Sequence, residues 1–209
     1  MTALLRQQWS KKIFEFRQYD VHAEHMAAFV QLTKAKIHLR TAHSPLLGYW
    51  NVEFGALNSV CHMWIYDSLA HRASVRAALA SDAEWNKQYM ELVKPWWARQ
   101  RNSVATLLNA VDDAALAVDA SDGNHYLVEL GAADPFEDGE DEDGNRVPPV
   151  RKPGVQRLAS WAVRAGHLDV DTVITLSRLK SLDATIAAPE DDSTMQRMIV
   201  SPLPFSRLK

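Results

Sequence analysis

The chain has 209 residues, of which 47% are hydrophobic and 23% are charged, and its formal net charge is −3. This composition is typical of a globular protein of one or two domains that can bury a substantial core. It excludes the strongly basic surface that attracts nucleic acid, so no nucleic-acid partner is expected.

Three further features of the sequence bear on location and cofactors. The single cysteine, Cys61, excludes an internal disulfide bond and a cysteine-built zinc site. No apolar run approaches 18 residues, so no transmembrane segment is predicted. The basic N-terminal residues lack the apolar stretch of a secretory signal, and a cytoplasmic location is expected.

The first half of the chain alternates predicted strands and helices in the order β-α-β-β-α-β, which is the ferredoxin-like split motif. Strands follow from period-two alternation and helices from apolar residues at helical spacing. The predicted elements are strands over Ile13–Tyr19, Leu46–Phe54, Val60–Tyr66 and Asn102–Asn109, and helices over His22–Arg40, Leu69–Ala80 and Ala83–Arg99. Asp67 or Ser68 is expected to cap the second helix and Asp82 the third, which Pro95 should end or kink.

The second half repeats this pattern in degenerate form. Gly55-Ala-Leu57 has a counterpart in Gly166-His-Leu168, which suggests a tandem repeat. Residues 111–124 form the predicted linker, and residues 131–153 form an acidic, proline-rich loop. The predicted elements are strands over Tyr126–Leu130, Leu158–Arg164 and Thr172–Leu179, a short helix over Asp183–Ala188, and a bent strand over Met198–Ser201 and Leu203–Leu208.

Several motifs occur in a fixed order between Gly48 and Trp85: Gly48-Tyr-Trp50, Glu53-Phe-Gly55, His62-x-Trp64-x-Tyr66, Ser68-Leu-Ala-His-Arg72 and Asp82-x-x-Trp85. This order of motifs strongly resembles the NIPSNAP family domain. The resemblance is specific over residues 13–109 and loose over residues 125–208. By this resemblance, residues 1–110 are a NIPSNAP-like ferredoxin-like domain and residues 125–209 a degenerate second repeat.

What the resemblance implies is mainly an architecture. NIPSNAP domains are similar to α+β barrels in which two ferredoxin-like sheets face one another, within tandem repeats or across a dimer. The fold class expected is therefore α+β, with tandem βαββαβ repeats forming an α+β barrel. Seven tryptophans favour a homodimer. Barrel relatives include cofactor-free oxygenases, isomerases, dehydratases and haem enzymes, so fold alone selects no chemistry. No cofactor is predicted, and haem is kept as an alternative.

Strand alternation divides the side chains of the first sheet into two faces. The apolar face is expected to pack against the two helices, with Cys61 as a small buried hydrophobe. The apolar face comprises Phe14, Phe16, Trp50, Val52, Phe54, Cys61, Met63 and Ile65. The mixed face comprises Glu15, Arg17, Tyr19, Tyr49, Asn51, Glu53, His62, Trp64 and Tyr66. Aromatic rings with polar tips are typical of a ligand cavity or of a seam between sheets, and both interpretations remain open.

The cavity interpretation assigns chemical roles to the mixed face. His62 is the candidate general acid or base, Glu53 on the adjacent strand would orient its ring, and Arg17 would hold an anionic or enolate-like oxygen. The candidate substrate-binding residues are Tyr19, Tyr49, Asn51, Trp64 and Tyr66.

Two functions are consistent with these residues. The first is a small-molecule-binding protein, plausibly an enzyme that acts on an apolar or aromatic organic substrate by acid–base or cofactor-free chemistry. The alternative is a non-catalytic interaction scaffold whose mixed sheet face forms a subunit interface. No metal site is predicted, because capping explains His22 and His25 better than metal binding does.

Overall fold

The computed structural model describes residues 9, 11–110, 125–132, 139–140, 146–147, 154–183 and 195–206. In the first half the elements are β1 (Ile13–Val21), α1 (Met26–Thr41) after a 3₁₀ turn (Ala23–His25), β2 (Leu46–Phe54), β3 (Ser59–Tyr66), α2 (Leu69–Ser81) and β4 (Trp97–Ala110). The third predicted helix is a series of short helical turns between α2 and β4: Ala83–Trp85, Asn86–Met90, Glu91–Val93 and Lys94–Trp96. In the second half they are β5 (His125–Gly131), β6 (Gly139–Glu140), β7 (Arg146–Val147), β8 (Val155–Gly166), β9 (Val173–Leu179) and β10 (Gln196–Pro202). No helix in the described part of the chain is long and apolar enough to cross a membrane.

The predicted helix caps of the first half are confirmed. Ser68 Oγ accepts a hydrogen bond from the backbone N–H of His71 at 3.0 Å, and Asp82 Oδ1 accepts one from Trp85 at 2.9 Å. Pro95 lies in a 3₁₀ turn, Lys94–Trp96, which ends the helical segment. The prediction that the last strand begins at Asn102 is wrong, because β4 begins at Trp97, where it already pairs with Val21 of β1.

The strands predicted for the second half are observed with small differences in their ends. The predicted last strand over Leu203–Leu208 is wrong as far as the structure describes it, because the N–H of Ser206 donates to the carbonyl of Leu203 and closes a turn. Two short paired strands, β6 and β7, lie within the predicted acidic loop. The predicted linker over 111–124 and the predicted helix beyond Asp183 lie outside the described residues.

Eight strands form a closed antiparallel barrel in the order β1-β3-β2-β10-β5-β9-β8-β4. The mixed helix-and-strand class and the barrel are therefore as predicted, and the barrel closes within one chain. The two halves meet where β2 pairs with β10 and where β4 pairs with β8. Closure pairs every strand on both sides, so none of the eight presents an open edge.

The interior of the barrel is one apolar core to which all eight strands contribute. Its largest members are Phe14, Phe16, Leu47, Trp50, Met63, Tyr126, Leu158, Trp161 and Ile174. The prediction that the apolar face packs against the helices is therefore wrong. A closed barrel has room inside for only one of the two alternating sets of side chains. The apolar set occupies the interior because its exposure to water would cost the most free energy. Cys61 lies in this core, and burial raises the pKa of its thiol to about 12, as expected for a packing residue.

The helices of the first half cover the outer surface of β1, β2 and β3. There Tyr19, Tyr49, Trp64 and Tyr66 share a second core with helix residues such as Phe29. Strand β3 is consequently buried along its whole length, on both faces. The mixed face thus lies beneath the helices of its own chain.

Gly166 makes a close approach possible at the seam between β4 and β8. Its φ is +132°, and a Cβ atom there would lie 2.4 Å from the carbonyl oxygen of Asn102 and from the Cα of Ser103. Only glycine has ready access to this backbone conformation.

We expect Gly166→Ala to lower the free energy of unfolding by about 2 kcal/mol or more, because backbone strain and a backbone clash add. Gly131→Ala is the control, since its Cβ would meet mainly the flexible end of Met195, at 2.8 Å. Urea unfolding measures both. Equal losses in the two variants would contradict the close approach at the seam.

Candidate functional site

A cavity of about 300 Å³ lies between the outer surface of β1–β3 and the helices that cover it. Its volume is at the lower end of the range for ligand pockets. Six aromatic side chains line it: Tyr19, Tyr49, Trp64, Trp85, Tyr89 and Trp97. Four cationic side chains also line it: Arg17, Arg40, Arg76 and Lys94. No aspartate or glutamate is among its described lining residues.

A π-helical turn over Asn86–Met90 builds one wall of the cavity. Asn86 Nδ2 lies within 3.1 Å of the carbonyl oxygens of Leu79, Ala80 and Asp82, so it can donate to the end of α2 and hold the turn against it. The wide turn places Tyr89 and Met90 at the cavity, and the Tyr89 hydroxyl is 2.9 Å from Thr33 Oγ1 of α1. π-Helical turns are frequent at functional sites because they displace side chains from regular helical positions.

His62 lies in the floor of the cavity in a defined tautomer. Its Nδ1 accepts a hydrogen bond from Trp64 Nε1 at 2.6 Å, which assigns the proton of the neutral ring to Nε2. The ring stacks on Tyr49 at a centroid distance of 4.4 Å and meets the Tyr19 ring at 4.9 Å. Burial, together with the positive charges of Arg17 and Arg40, holds the pKa of His62 well below its usual value. His62 is therefore neutral at pH 7 and presents an N–H donor.

Three buried donors that line the cavity have no acceptor among the described residues. They are Arg17 Nε, His62 Nε2 and Trp97 Nε1. All three side chains surround Tyr19, whose ring centroid is 5.0 Å from that of Trp97 and 5.2 Å from the Arg17 guanidinium carbon. A buried donor without an acceptor costs about 1–3 kcal/mol. A ligand that supplies acceptor oxygens would recover part of this free energy.

A buried carboxylate, Glu15, lies beside the cavity floor and is held by four side chains. Its Oε1 accepts from Arg72 Nη2 at 2.6 Å, from Asn102 Nδ2 at 3.0 Å and from Arg17 Nη1 at 3.4 Å, while its Oε2 accepts from the Tyr66 hydroxyl at 3.1 Å. Burial alone would raise the pKa of Glu15. The hydrogen bond from Arg72 and the charges of Arg17 and Arg72 outweigh it and lower the pKa to about 2.

Arg40, at the end of α1, is the other buried guanidinium of the floor. It donates to Ser44 Oγ and to the Tyr66 hydroxyl, both at 2.7 Å, and its guanidinium carbon lies 3.9 Å from the Trp64 ring centroid. Burial lowers its pKa, although arginine stays charged at pH 7. The charge of Arg40 is therefore stabilised by stacking on Trp64 and by two neutral acceptors, and no carboxylate of the described residues is in direct contact with it.

The structure brings together most of the site residues named from the sequence. Arg17, Tyr19, Tyr49, His62 and Trp64 line the cavity. Tyr66 lies beneath it, where its hydroxyl joins Arg40 to Glu15.

Asn51 and Glu53 do not line the cavity. Glu53 accepts hydrogen bonds from Asn51 at 3.0 Å and from Ser201, at the end of β2 that the helices leave exposed. The prediction that Glu53 orients His62 is wrong, because the strand register places Tyr49 opposite His62 and Trp64 fixes its ring.

Sequence reasoning missed the cavity residues that come from the helices and from the start of β4. Arg40, Arg76, Lys94 and Trp97 read as ordinary helix residues or as residues before the strand. A weak signal was available at Arg40, which follows Phe29 and Thr33 at helical spacing on the buried face of α1.

The weaker candidate sites named from the sequence find no support as metal or haem sites. His25 stacks on Trp96 at a centroid distance of 5.5 Å. In the described part of the chain no three His, Cys, Asp or Glu side chains are grouped to hold a metal ion. His62 does not fit as a haem ligand, because iron needs a free lone pair on the ring, and His62 has a proton on Nε2 and a bonded Nδ1.

Fold and site together define an α+β barrel protein with a cation-lined cavity beneath its helices. The NIPSNAP family model matches residues 14–110. NipSnap homolog 3A of Pongo abelii is 49% identical over 84 residues, which are 40% of this chain and 34% of that protein. A NIPSNAP-like domain protein from Burkholderia xenovorans is 31% identical, and the match covers 46% of this chain and 84% of that one, with a TM-score of 0.43.

The chain therefore belongs to the NIPSNAP family. It spans about a third of the length of the curated relatives that it matches. The barrel as a whole is similar to an anthrone oxidase-like protein, with a TM-score of 0.60 over 95% of this chain and 94% of that one. At 11% identity this likeness concerns the fold alone.

We expect Glu15→Gln to lower the free energy of unfolding at pH 7 by on the order of 3 kcal/mol, because it leaves buried guanidinium charges without their carboxylate. In the native protein the Glu15 pKa falls from about 4.5 to about 2, so its contribution is complete above pH 4.5 and is lost as pH falls towards 2. The stability difference between the native protein and the variant should therefore shrink over this interval.

Denaturant unfolding at a series of pH values from 7 to 2 measures this difference. Glu53→Gln is the matched control, since that carboxylate is exposed, and its effect should stay within about 0.5 kcal/mol. A Glu15→Gln effect of the same size as the control would show that the buried network contributes little.

Proposed function

We propose that this protein binds an apolar or aromatic small molecule in the cavity beneath its helices. The observation that carries the proposal is the set of unpartnered donors from Arg17, His62 and Trp97 within an aromatic-lined cavity. Single donors such as Trp50 Nε1 and Trp161 Nε1 in the barrel core also lack an acceptor among the described residues, but at this cavity three such donors lie around an open volume. The fold neighbour named for an anthrone oxidase is compatible with an aromatic ligand.

The donor set favours one kind of chemistry over others. A neutral His62 with its proton on Nε2 can donate to a substrate oxygen, and Arg17 can stabilise negative charge that develops there. The free protein offers no lone pair on His62 for proton abstraction, so His62 acts as an acid or an electrophilic donor. Arg17 and His62 would stabilise an enolate-like or phenolate-like oxygen that the ligand already carries, and no described lining residue is assigned the uptake of a proton.

The alternative is a non-catalytic scaffold whose mixed sheet face forms a subunit interface. The helices of the same chain pack on that face, so it is not available to a second subunit. This packing favours the ligand-binding proposal over that form of the alternative.

The homodimer, the cytoplasmic location and the tandem repeat remain proposals from the sequence. None of the seven tryptophans is exposed, so tryptophan content no longer favours the proposed homodimer. Cytoplasmic location also stays a prediction. In each half the strands lie in the order fourth, first, third, second, and this shared order supports the tandem repeat.

Ala80→Trp should block ligand binding, because Ala80 lines the cavity from α2 and is exposed at its mouth. A library of small ring compounds is screened by thermal shift, and hits are measured by calorimetry. A ligand at about 100 times its dissociation constant should raise the melting temperature by roughly 5–10 °C. Native mass spectrometry of the purified protein reports any retained ligand and the oligomeric state.

Ala78→Trp is the matched control, since Ala78 is exposed on the same helix but does not line the cavity. It should bind every hit as the native protein does. Hits that bind Ala80→Trp with unchanged affinity, or a library without hits, would contradict the proposed site.

A further inference from the structure

The cavity floor carries more positive than negative charge. Two guanidinium groups line it, that of Arg40, which is buried, and that of Arg17, whose side chain is 14% exposed, and both lie near one buried carboxylate, that of Glu15. Arg72 forms the shortest ion pair with Glu15, at 2.6 Å, and its side chain is 23% exposed. These three guanidinium groups share one carboxylate, so positive charge is in excess among the described residues around the floor.

Arg40 is the guanidinium group among these three that forms no ion pair with a described residue. Its side chain is buried, and its polar contacts are the neutral oxygens of Ser44 and Tyr66. Burying a charge without a counter-ion costs several kcal/mol, whereas an anion in the adjacent cavity would compensate it at short range.

The hydrogen-bonding groups of the floor also favour an anionic ligand. Arg17 Nε, His62 Nε2 and Trp97 Nε1 are donors only, and none of them can be satisfied by a ligand's N–H group. Among the described lining residues, no buried acceptor is left unpaired. The group that satisfies this floor is rich in acceptor oxygens.

The entrance of the cavity also carries positive charge, on side chains that are exposed to solvent. Arg76 and Lys94 line it and are exposed, and neither forms an ion pair with a described residue. Exposed cations at an entrance attract anions from solution and raise their association rate.

We propose that the natural ligand of the cavity is an organic monoanion, a carboxylate on an apolar or aromatic body. Its oxygens lie at Arg17, Arg40 and His62, and its body lies against the aromatic wall of Trp64, Trp85 and Tyr89. A carboxylate supplies the acceptor oxygens that these donors need on a small anionic group, which suits a cavity of about 300 Å³. This inference rests on the proposed function and adds the chemical class of the ligand.

Calorimetry with matched pairs tests it: benzoate against benzamide, 2-naphthoate against 2-naphthamide, and 2-naphthylphosphonate as the dianion. At least one carboxylate should bind about tenfold or more tightly than its amide, because charge-assisted hydrogen bonds contribute about 1.5–3 kcal/mol. Arg17→Gln should remove this difference, while Arg164→Gln, at an exposed arginine on β8, should keep it.

A second measurement does not depend on buried substitutions. The double variant Arg76→Gln/Lys94→Gln should slow association of the best carboxylate several-fold at low salt and leave the dissociation rate nearly unchanged, as expected for steering. Stopped-flow quenching of tryptophan fluorescence reports both rates.

The outcomes separate the two proposals. If amides bind as well as their acids and Ala80→Trp blocks both, the anion inference is wrong and the cavity remains a ligand site. If the phosphonate binds most tightly, the monoanion class is overturned. If no member of the panel binds, the carboxylate inference is overturned, and the wider ring-compound library then decides the proposed function. Binding that Ala80→Trp leaves unchanged overturns both proposals.

Discussion

Eight antiparallel strands close on themselves, and the space that they enclose holds only one of the two alternating sets of their side chains. The apolar set of β1, β2 and β3 occupies that space together with Trp161 and Tyr126 from the second half, except for Phe54, which is 59% exposed at the end of β2. The polar and aromatic set must then face outwards, where contact with water alone would not hold these side chains in fixed positions. The helices of the first half cover it, and the cavity is the part of this layer that their side chains do not fill.

Burial of a polar face requires partners, and Glu15 shows how the chain supplies them. Its carboxylate joins β1 to Tyr66 on β3, Asn102 on β4 and Arg72 on α2, so one charge fixes three neighbouring elements. The same carboxylate holds Arg17 beside the cavity in its charged form. Stability and ligand recognition therefore share one network: the Glu15 carboxylate is fully bonded, whereas Arg17 Nε and Arg72 Nε have no acceptor among the described residues.

The sequence predicted the ends of those helices that are set by residues at the helix end itself. Ser68 and Asp82 cap helices through short-range bonds, and Pro95 ends a helix because it lacks an N–H, so these boundaries could be predicted. The π-helical turn could not, because it is held by Asn86 contacts with the end of the preceding helix. The start of β4 at Trp97 depends on pairing with β1, a contact between residues some eighty positions apart.

The sequence by itself determined the strand alternation, the membership of the mixed face and the family. It named Arg17, Tyr19, Tyr49, His62 and Trp64 together, because alternation places residues of one parity on one side of a strand. Only the tertiary structure decided which side is inside, since alternation is the same for either orientation and closure alone removes the ambiguity. It also decided that His62 is bonded to Trp64 and not to Glu53, and that Arg40 from α1 completes the floor, because strand register and helix packing are set by contacts distant in sequence.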